Sequence, residues 1–179
     1  MQTPRNSIYR KLEDNLAKKG YIVQPYFLTR SPVIQAELWR QSREKSTIQK
    51  KIAYYRGLGC EFLAHCMETA KPSTGPWATN AGPGESWHQF TDENGLTQAV
   101  DYVWIVNGKM CWDTNGYSGY HALADEAEAL GLVAGGHWPK KDWCHVQIPK
   151  ENSPTSRYSL KQIDQMLGEQ YGFYQKKNK

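Results

Sequence analysis

The sequence predicts an α+β fold, with a small and mainly antiparallel sheet flanked by helices. The middle of the 179-residue chain contains "LTQAVDYVWIV", "NGK" and "MCWDT", which together indicate a β-hairpin that turns at Asn107 and Gly108. Helical patterns precede and follow this hairpin. Segregation of helices from antiparallel strands is typical of the α+β class.

Residues 1–70 are expected to be mainly helical. The first helix is capped by Asn6 or Ser7 and is followed by an extended segment, "YIVQPYFLT". The second helix is predicted from a long helical pattern, which is either continuous or broken near Ser46 and Thr47. The expected helices are 8–19, 32–59 and 60–70.

Residues 71–150 are expected to hold the sheet and the functional loop. The segment 71–95 is rich in Pro, Gly, Ser, Thr and Asn, and long irregular connections of this kind are often functional. After the hairpin, "GYHALADEAEALG" predicts a helix and "DWCHVQIP" a short strand. A last helix is predicted over 158–172, and the whole chain, 1–179, is expected to form a single domain.

Composition excludes several classes of protein. The net charge of +4 is modest, and Lys and Arg residues are spread along the chain with only "KKNK" as a run. Nucleic-acid binding is therefore not expected. The longest apolar runs, such as "YVWIV", are far shorter than the roughly 20 residues of a membrane-spanning helix. The amino terminus lacks the apolar segment of a secretory signal, so we expect synthesis in the cytoplasm without a signal peptide. The four cysteines have no metal-binding spacing and are expected to be free thiols.

Three residues offer the donor set of a catalytic metal site. His88 lies in the irregular loop, Asp101 at the start of an apolar strand, and His145 on the late short strand. A catalytic zinc takes three ligands from His and carboxylate groups and keeps one position for water. The alternative is that His88 is a loop hydrogen-bonder, His145 a hydrogen-bonded sheet residue, and Asp101 and Asp142 turn caps. The spacing alone leaves both interpretations open.

The strand that carries His145 also suggests a general base. Alternation places His145 and Gln147 on the same face of this strand. Asp142 lies three residues earlier, where an unbroken strand would turn its side chain to the opposite face. A turn over 141–143 would bring this carboxylate back toward a metal-bound water, in the position of a general base.

Several of these segments resemble the zinc D-alanyl-D-alanine peptidase family. This family includes vancomycin-resistance dipeptidases and carboxypeptidases and phage L-alanyl-D-glutamate endopeptidases, and it shares its fold with hedgehog. Its pattern is Ser-x-His, then Gly-x-Ala-x-Asp, then a late Asp-x-x-His or Glu-x-x-His, which "SWHQ", "AVD" and "DWCH" resemble. The family also has an upstream Tyr-Arg-Ser with a Gln a few residues on, which Arg30, Ser31 and Gln35 in "FLTRSPVIQ" match. The resemblance covers residues 29–147.

The resemblance implies a role for each matching residue. Zn²⁺ would be bound by His88, Asp101 and His145. Asp142 would take a proton from the zinc-bound water and pass it to the leaving amine. Arg30 would hold a substrate carboxylate or stabilise the developing oxyanion.

One further residue belongs to the implied substrate site, and one ligand departs from the family pattern. The resemblance implies that Ser86 contacts substrate or orients the loop. Independently of the resemblance, Trp138 and Trp143 are candidates to line a substrate cleft, with packing at the strand end as the alternative. Asp101 lies thirteen residues after His88, whereas the family spacing is seven, so "TDENGL" is interpreted as an insertion. Asp92 is the rival carboxylate ligand.

The resemblance implies a peptidase acting on the peptidoglycan stem peptide. An aspartate base, Asp142, is typical of the L-Ala-D-Glu endopeptidases of this family, whereas the D-Ala-D-Ala peptidases commonly have Glu. The expected protein is a monomeric phage endolysin or a secreted antibacterial effector that reaches the cell wall in the periplasm through a holin or a secretion system. The alternatives are a D,D-carboxypeptidase and a non-catalytic metal-binding or wall-binding domain of the same fold.

Overall fold

A computed structural model describes residues 5–71 and 74–175 of the chain. The α-helices of this part are, in chain order, Ser7–Lys18 (α1), Pro32–Arg40 (α2), Lys45–Gly57 (α3), Glu61–Thr69 (α4), Gly119–Ala129 (α5) and Leu160–Gln170 (α6). The strands are Ile22–Phe27 (β1), Ala99–Val106 (β2), Lys109–Cys111 (β3), Val133–Ala134 (β4) and His145–Gln147 (β5). Within these residues, none of the helices has the length and apolarity needed to cross a bilayer.

The five strands form one antiparallel sheet. Its order is β1-β2-β5-β4, and β3 also pairs with β2 through the predicted hairpin. Asn107 has a φ of 50° and Gly108 a φ of 74°, the left-handed conformations that a tight hairpin turn requires. Helices flank a small antiparallel sheet, so the predicted α+β class is confirmed.

The described residues group into two compact units, and the first contains the sheet. This unit comprises residues 5–29 and 90–150, with helices α1 and α5. Asn6 caps α1 by accepting a hydrogen bond from the backbone of Ile8, as its residue type predicts. The core of this unit includes Tyr9, Leu12, Leu16, Val100, Tyr102, Leu123 and Val146.

The second unit is helical and comprises residues 30–71, 74–89 and 151–175. The long helix predicted over 32–59 is interrupted, because α2 ends at Arg40 and α3 begins only at Lys45. The alternative, a break near residues 46 and 47, is confirmed as a break, but the break lies over residues 41–44, and Ser46 and Thr47 are in the first turn of α3. Ser42 has a φ of 57°, a left-handed conformation that ends an α-helix.

The predicted strand "DWCHVQIP" is shorter than its apolar pattern indicated. Only His145–Gln147 pairs as β5, because the chain turns immediately before it. The backbone N–H of His145 donates to the carbonyl of Asp142 at 3.1 Å and closes this turn. A turn before His145 was predicted, and it lies over residues 142–145 rather than 141–143. All four cysteines are free thiols; Cys60 and Cys66 are buried, as expected, whereas Cys111 and Cys144 are only half-buried.

Candidate metal centre

His88 is held by its backbone in a short 3-10 helix, Trp87–Gln89. Its N–H donates to the hydroxyl of Ser86 at 3.4 Å, and its carbonyl accepts from the backbone N–H of Arg30 at 2.7 Å. The neighbouring Trp87 donates its indole N–H to the carbonyl of Glu151 at 2.7 Å. The irregular chain around His88 is therefore fixed by local hydrogen bonds, and the His88 side chain is buried.

Asp101 and His145 are brought together by the register of two adjacent strands. They are directly opposite each other in the antiparallel pair of β2 and β5. Side chains of such a pair have Cβ atoms about 5 Å apart on the same face of the sheet. His145 Nδ1 lies 3.2 Å from Asp101 Oδ1, and both residues are buried.

His88, Asp101 and His145 form a buried cluster that could hold a metal ion. Each residue offers one ligand atom, and these three atoms all lie within 4.8 Å of one another. Two imidazole nitrogens and one carboxylate oxygen are a donor set that suits divalent transition metals. The residues therefore fit a metal in chemical type, in burial and in mutual distance.

Asp92, the alternative carboxylate ligand, stabilises a turn instead of joining the cluster. Its Oδ1 accepts from the backbone N–H groups of Asn94 and Leu96, both at 2.9 Å. Thr91 and Thr97 pair as an isolated antiparallel bridge on either side of this turn. The segment "TDENGL" is thus a closed turn stabilised by Asp92, and Asp101 is the carboxylate in the cluster.

The protonation of His145 depends on its acidic neighbours. Burial by itself lowers the pKa of this imidazole, but the hydrogen bond to Asp101 and the charges of Asp101 and Asp142 outweigh burial and raise the pKa above its ordinary value. The carboxylate neighbours thus favour the charged form of the imidazole over the neutral form. A metal ion replaces the proton of such an imidazole, so metal binding and protonation compete.

Asp142 stands at the exposed start of the turn that leads to His145. The thiol of Cys144 donates to Asp142 Oδ1 at 3.3 Å. Burial, followed by the charges of Asp101 and Asp142, raises the pKa of this thiol far above its ordinary value, so Cys144 stays protonated and remains a donor. Asp142 therefore combines exposure to water with an electrostatic influence on His145.

Arg30 belongs to a hydrogen-bonded group that also contains Gln35. Arg30 Nη1 donates to Gln35 Oε1 at 3.4 Å, and the Gln35 amide donates to the carbonyl of Ala81 at 2.7 Å. Ser31 caps α2 by accepting from the backbone of Ile34 at 3.2 Å. The segment "FLTRSPVIQ" thus places Arg30 at the start of a capped helix, with its backbone bonded to His88.

Trp138 packs beside the cluster. Its ring centroid lies 5.1 Å from that of His145. Its indole Nε1 is buried and has no hydrogen-bond partner among the described residues, which is a costly state for a donor. His137, in contrast, is exposed and lies 3.2 Å from carboxylate oxygens of Asp125 and Glu128.

Two residues near the cluster have structural roles that the sequence does not predict. Gln147 was placed on the face of His145, and the structure brings its Oε1 to 2.9 Å from His145 Nε2. Gly135 packs against the turn, where a Cβ atom would lie 2.4 Å from the carbonyl oxygen of Asp142 and 3.1 Å from the Cβ of His145. In the sequence, the glycine pair of "AGGHW" is the feature that could have predicted this close approach of two backbone segments.

Gly135→Ala is expected to destabilise the protein by about 1–3 kcal/mol, because the added methyl group must displace the turn that carries Asp142 and His145. Thermal unfolding of the metal-free protein measures this loss. Gly57→Ala is the matched control, since a Cβ atom at Gly57 meets nothing within 4 Å. Equal unfolding temperatures for the two variants would show that the turn tolerates the methyl group.

Comparison with models of known protein families and with curated proteins finds no match to this chain.

Proposed function

We propose that this protein is a zinc peptidase that hydrolyses a bond in the stem peptide of peptidoglycan. The observation that carries the proposal is the buried cluster of His88, Asp101 and His145, which come from a loop and two strands. This is the donor set of catalytic zinc sites, which keep a fourth position open. When bound, zinc supplies Lewis acidity that polarises a substrate carbonyl and makes water nucleophilic at neutral pH.

Asp142 is proposed as the general base and acid. A base must exchange protons with water and leaving group, and the exposed position of Asp142 in the turn before His145 permits this. Cys144 donates to one carboxylate oxygen, Oδ1, which leaves Oδ2 for the proton. Asp142 would accept the proton of the attacking water and deliver it to the departing amine.

Arg30, Ser86 and Trp138 are proposed to hold the substrate or the loop. The Arg30 guanidinium, bonded to Gln35, is suited to a substrate carboxylate or a developing oxyanion. The hydroxyl of Ser86 accepts from the backbone of His88, which favours its role in orienting the loop. The buried indole N–H of Trp138 would gain a hydrogen bond by donating to a substrate carbonyl.

The proposed bond is the one between L-Ala and D-Glu. The choice rests on the resemblance of "DWCH" to the family pattern and on Asp, rather than Glu, at position 142. The proposed setting is lysis of a host cell by a phage enzyme or attack on a competitor by a secreted effector, in both of which the substrate is the cell wall in the periplasm. Hydrolysis of D-Ala-D-Ala termini is the nearest alternative within the same chemistry.

Digestion of purified peptidoglycan by the zinc-loaded protein, followed by mass spectrometry, tests the proposal. New D-Glu amino termini are the expected products. Free D-Ala would assign the protein to the D,D-carboxypeptidases. Absence of products from a protein that binds zinc would favour a non-catalytic metal-binding domain.

A further inference from the structure

We propose that Gln147 is a positioning residue that determines which nitrogen of His145 faces the metal. The inference rests on the metal centre of the proposed function, and it does not depend on the substrate. Gln147 is buried in β5, two residues after His145 on the same face. Its backbone is fixed on both sides, because it is paired with Ala99 of β2 and with Val133 of β4.

The orientation of the Gln147 amide follows from its other contact. Gln147 Nε2 lies 2.8 Å from the carbonyl oxygen of Pro149. A carbonyl oxygen can only accept, so the NH₂ group of the amide must point to Pro149. The amide oxygen, Oε1, is consequently the atom that faces His145, at 2.9 Å from Nε2.

This orientation determines the tautomer of His145. An amide oxygen is an acceptor only, so the hydrogen bond requires that His145 Nε2 carries a hydrogen. A protonated ring nitrogen has no lone pair for a metal, and Nδ1 must therefore be the donor atom. Nδ1 is the nitrogen that lies 3.2 Å from Asp101 Oδ1, the carboxylate oxygen of a second proposed ligand.

The hydrogen bond between His145 and Gln147 also fixes the orientation of the imidazole ring. Metal-binding histidines commonly donate their second N–H to an acceptor that orients them, and loss of that acceptor typically weakens metal binding 10–100-fold. In this protein the acceptor is an uncharged amide that is itself anchored by Pro149. Without it, the Nε2–H group of a buried imidazole would lose its acceptor, and the ring could turn Nδ1 away from Asp101.

Two variants and a control test this role. Gln147→Leu removes the acceptor, and we expect its Zn²⁺ affinity to fall about 10–100-fold in competition titrations with a chromophoric chelator. Gln147→Glu keeps an oxygen acceptor for His145 but loses the N–H that donates to Pro149, so its zinc affinity should fall less than that of Gln147→Leu. Gln24→Leu is the control for the same substitution at an exposed position of the sheet. Thermal unfolding of each metal-free variant identifies any that fails to fold.

The tautomer provides a readout that a merely structural role would not change. Long-range ¹H–¹⁵N correlation spectra of histidine-labelled, zinc-loaded protein should show hydrogen on Nε2 of His145 and metal on Nδ1. Metal on Nε2 of the unmodified protein would overturn the inference, even if Gln147→Leu did not fold. Equal zinc affinity of Gln147→Leu and the unmodified protein would also overturn it. If the three residues do not bind zinc at all, the unmodified protein will show no zinc binding. That outcome is distinct from the two above, and it would overturn both the proposed metal centre and the role of Gln147.

Discussion

His88→Ala and His145→Ala are each expected to reduce the zinc content of the purified protein from about one ion per chain to nearly none. Each variant removes one of three proposed protein ligands from a buried cluster. Loss of a group that only orients a ligand already costs 10–100-fold in affinity, so loss of a ligand should cost at least about 100-fold. Metal analysis after dialysis measures the content, and peptidoglycan hydrolysis should be lost in parallel.

The matched control for these variants is His65→Ala. His65 is exposed on α4 and lies outside the cluster, so its loss should leave the zinc content unchanged. Zinc should also raise the unfolding temperature of the unmodified protein, because a ligand at 100 times its Kd stabilises the folded state by about 2.7 kcal/mol. His88→Ala should lose most of this stabilisation. Full hydrolytic activity in metal-free protein would end the zinc mechanism.

Asp142→Asn is expected to keep zinc and to lower kcat about 10²–10⁴-fold. The amide cannot accept the proton of the attacking water, and general base catalysis typically contributes a factor of this size. Its oxygen can still accept from the Cys144 thiol, so the turn should be retained. Turnover of a stem-peptide substrate, measured together with zinc content, separates the loss of the base from the loss of the metal.

Asp113→Asn is the control for this change of charge. Asp113 is an exposed carboxylate that bonds to Asn115 within its own turn, and its replacement should leave kcat unaltered. Unchanged hydrolysis by Asp142→Asn would remove this residue as the base. Loss of zinc from the same variant would instead indicate that Asp142 acts mainly through the charge that it exerts on His145.

The two sets of variants together distinguish a peptidase from a metal-binding module. In a peptidase, the histidine variants lose both zinc and hydrolysis, while Asp142→Asn loses only hydrolysis. A non-catalytic domain would lose zinc with the histidine variants and would show no hydrolysis with any form of the protein. The comparison therefore tests the catalytic role separately from the metal.

Much of the local structure was predictable because its causes are local. Asn6 and Ser31 accept from the first turns of α1 and α2, as short polar side chains at these positions do. The hairpin at Asn107 and Gly108 follows from their tolerance of left-handed conformations. The interruption between α2 and α3 was not placed correctly, because the left-handed Ser42 carries no strong signal in its residue type.

The sequence by itself determined the donor types of the site and the alternation that places His145 and Gln147 on one face. These properties depend on side-chain chemistry and on the two-residue period of a strand. Only the tertiary structure decided that Asp101, rather than Asp92, joins the cluster, because that choice depends on the register of β2 against β5. The tautomer that we propose for His145 likewise depends on the tertiary structure, since the orientation of the Gln147 amide is set by the carbonyl of Pro149. Register and amide orientation arise from hydrogen bonds that form when the chain folds, and neither is encoded in the spacing of residues along it.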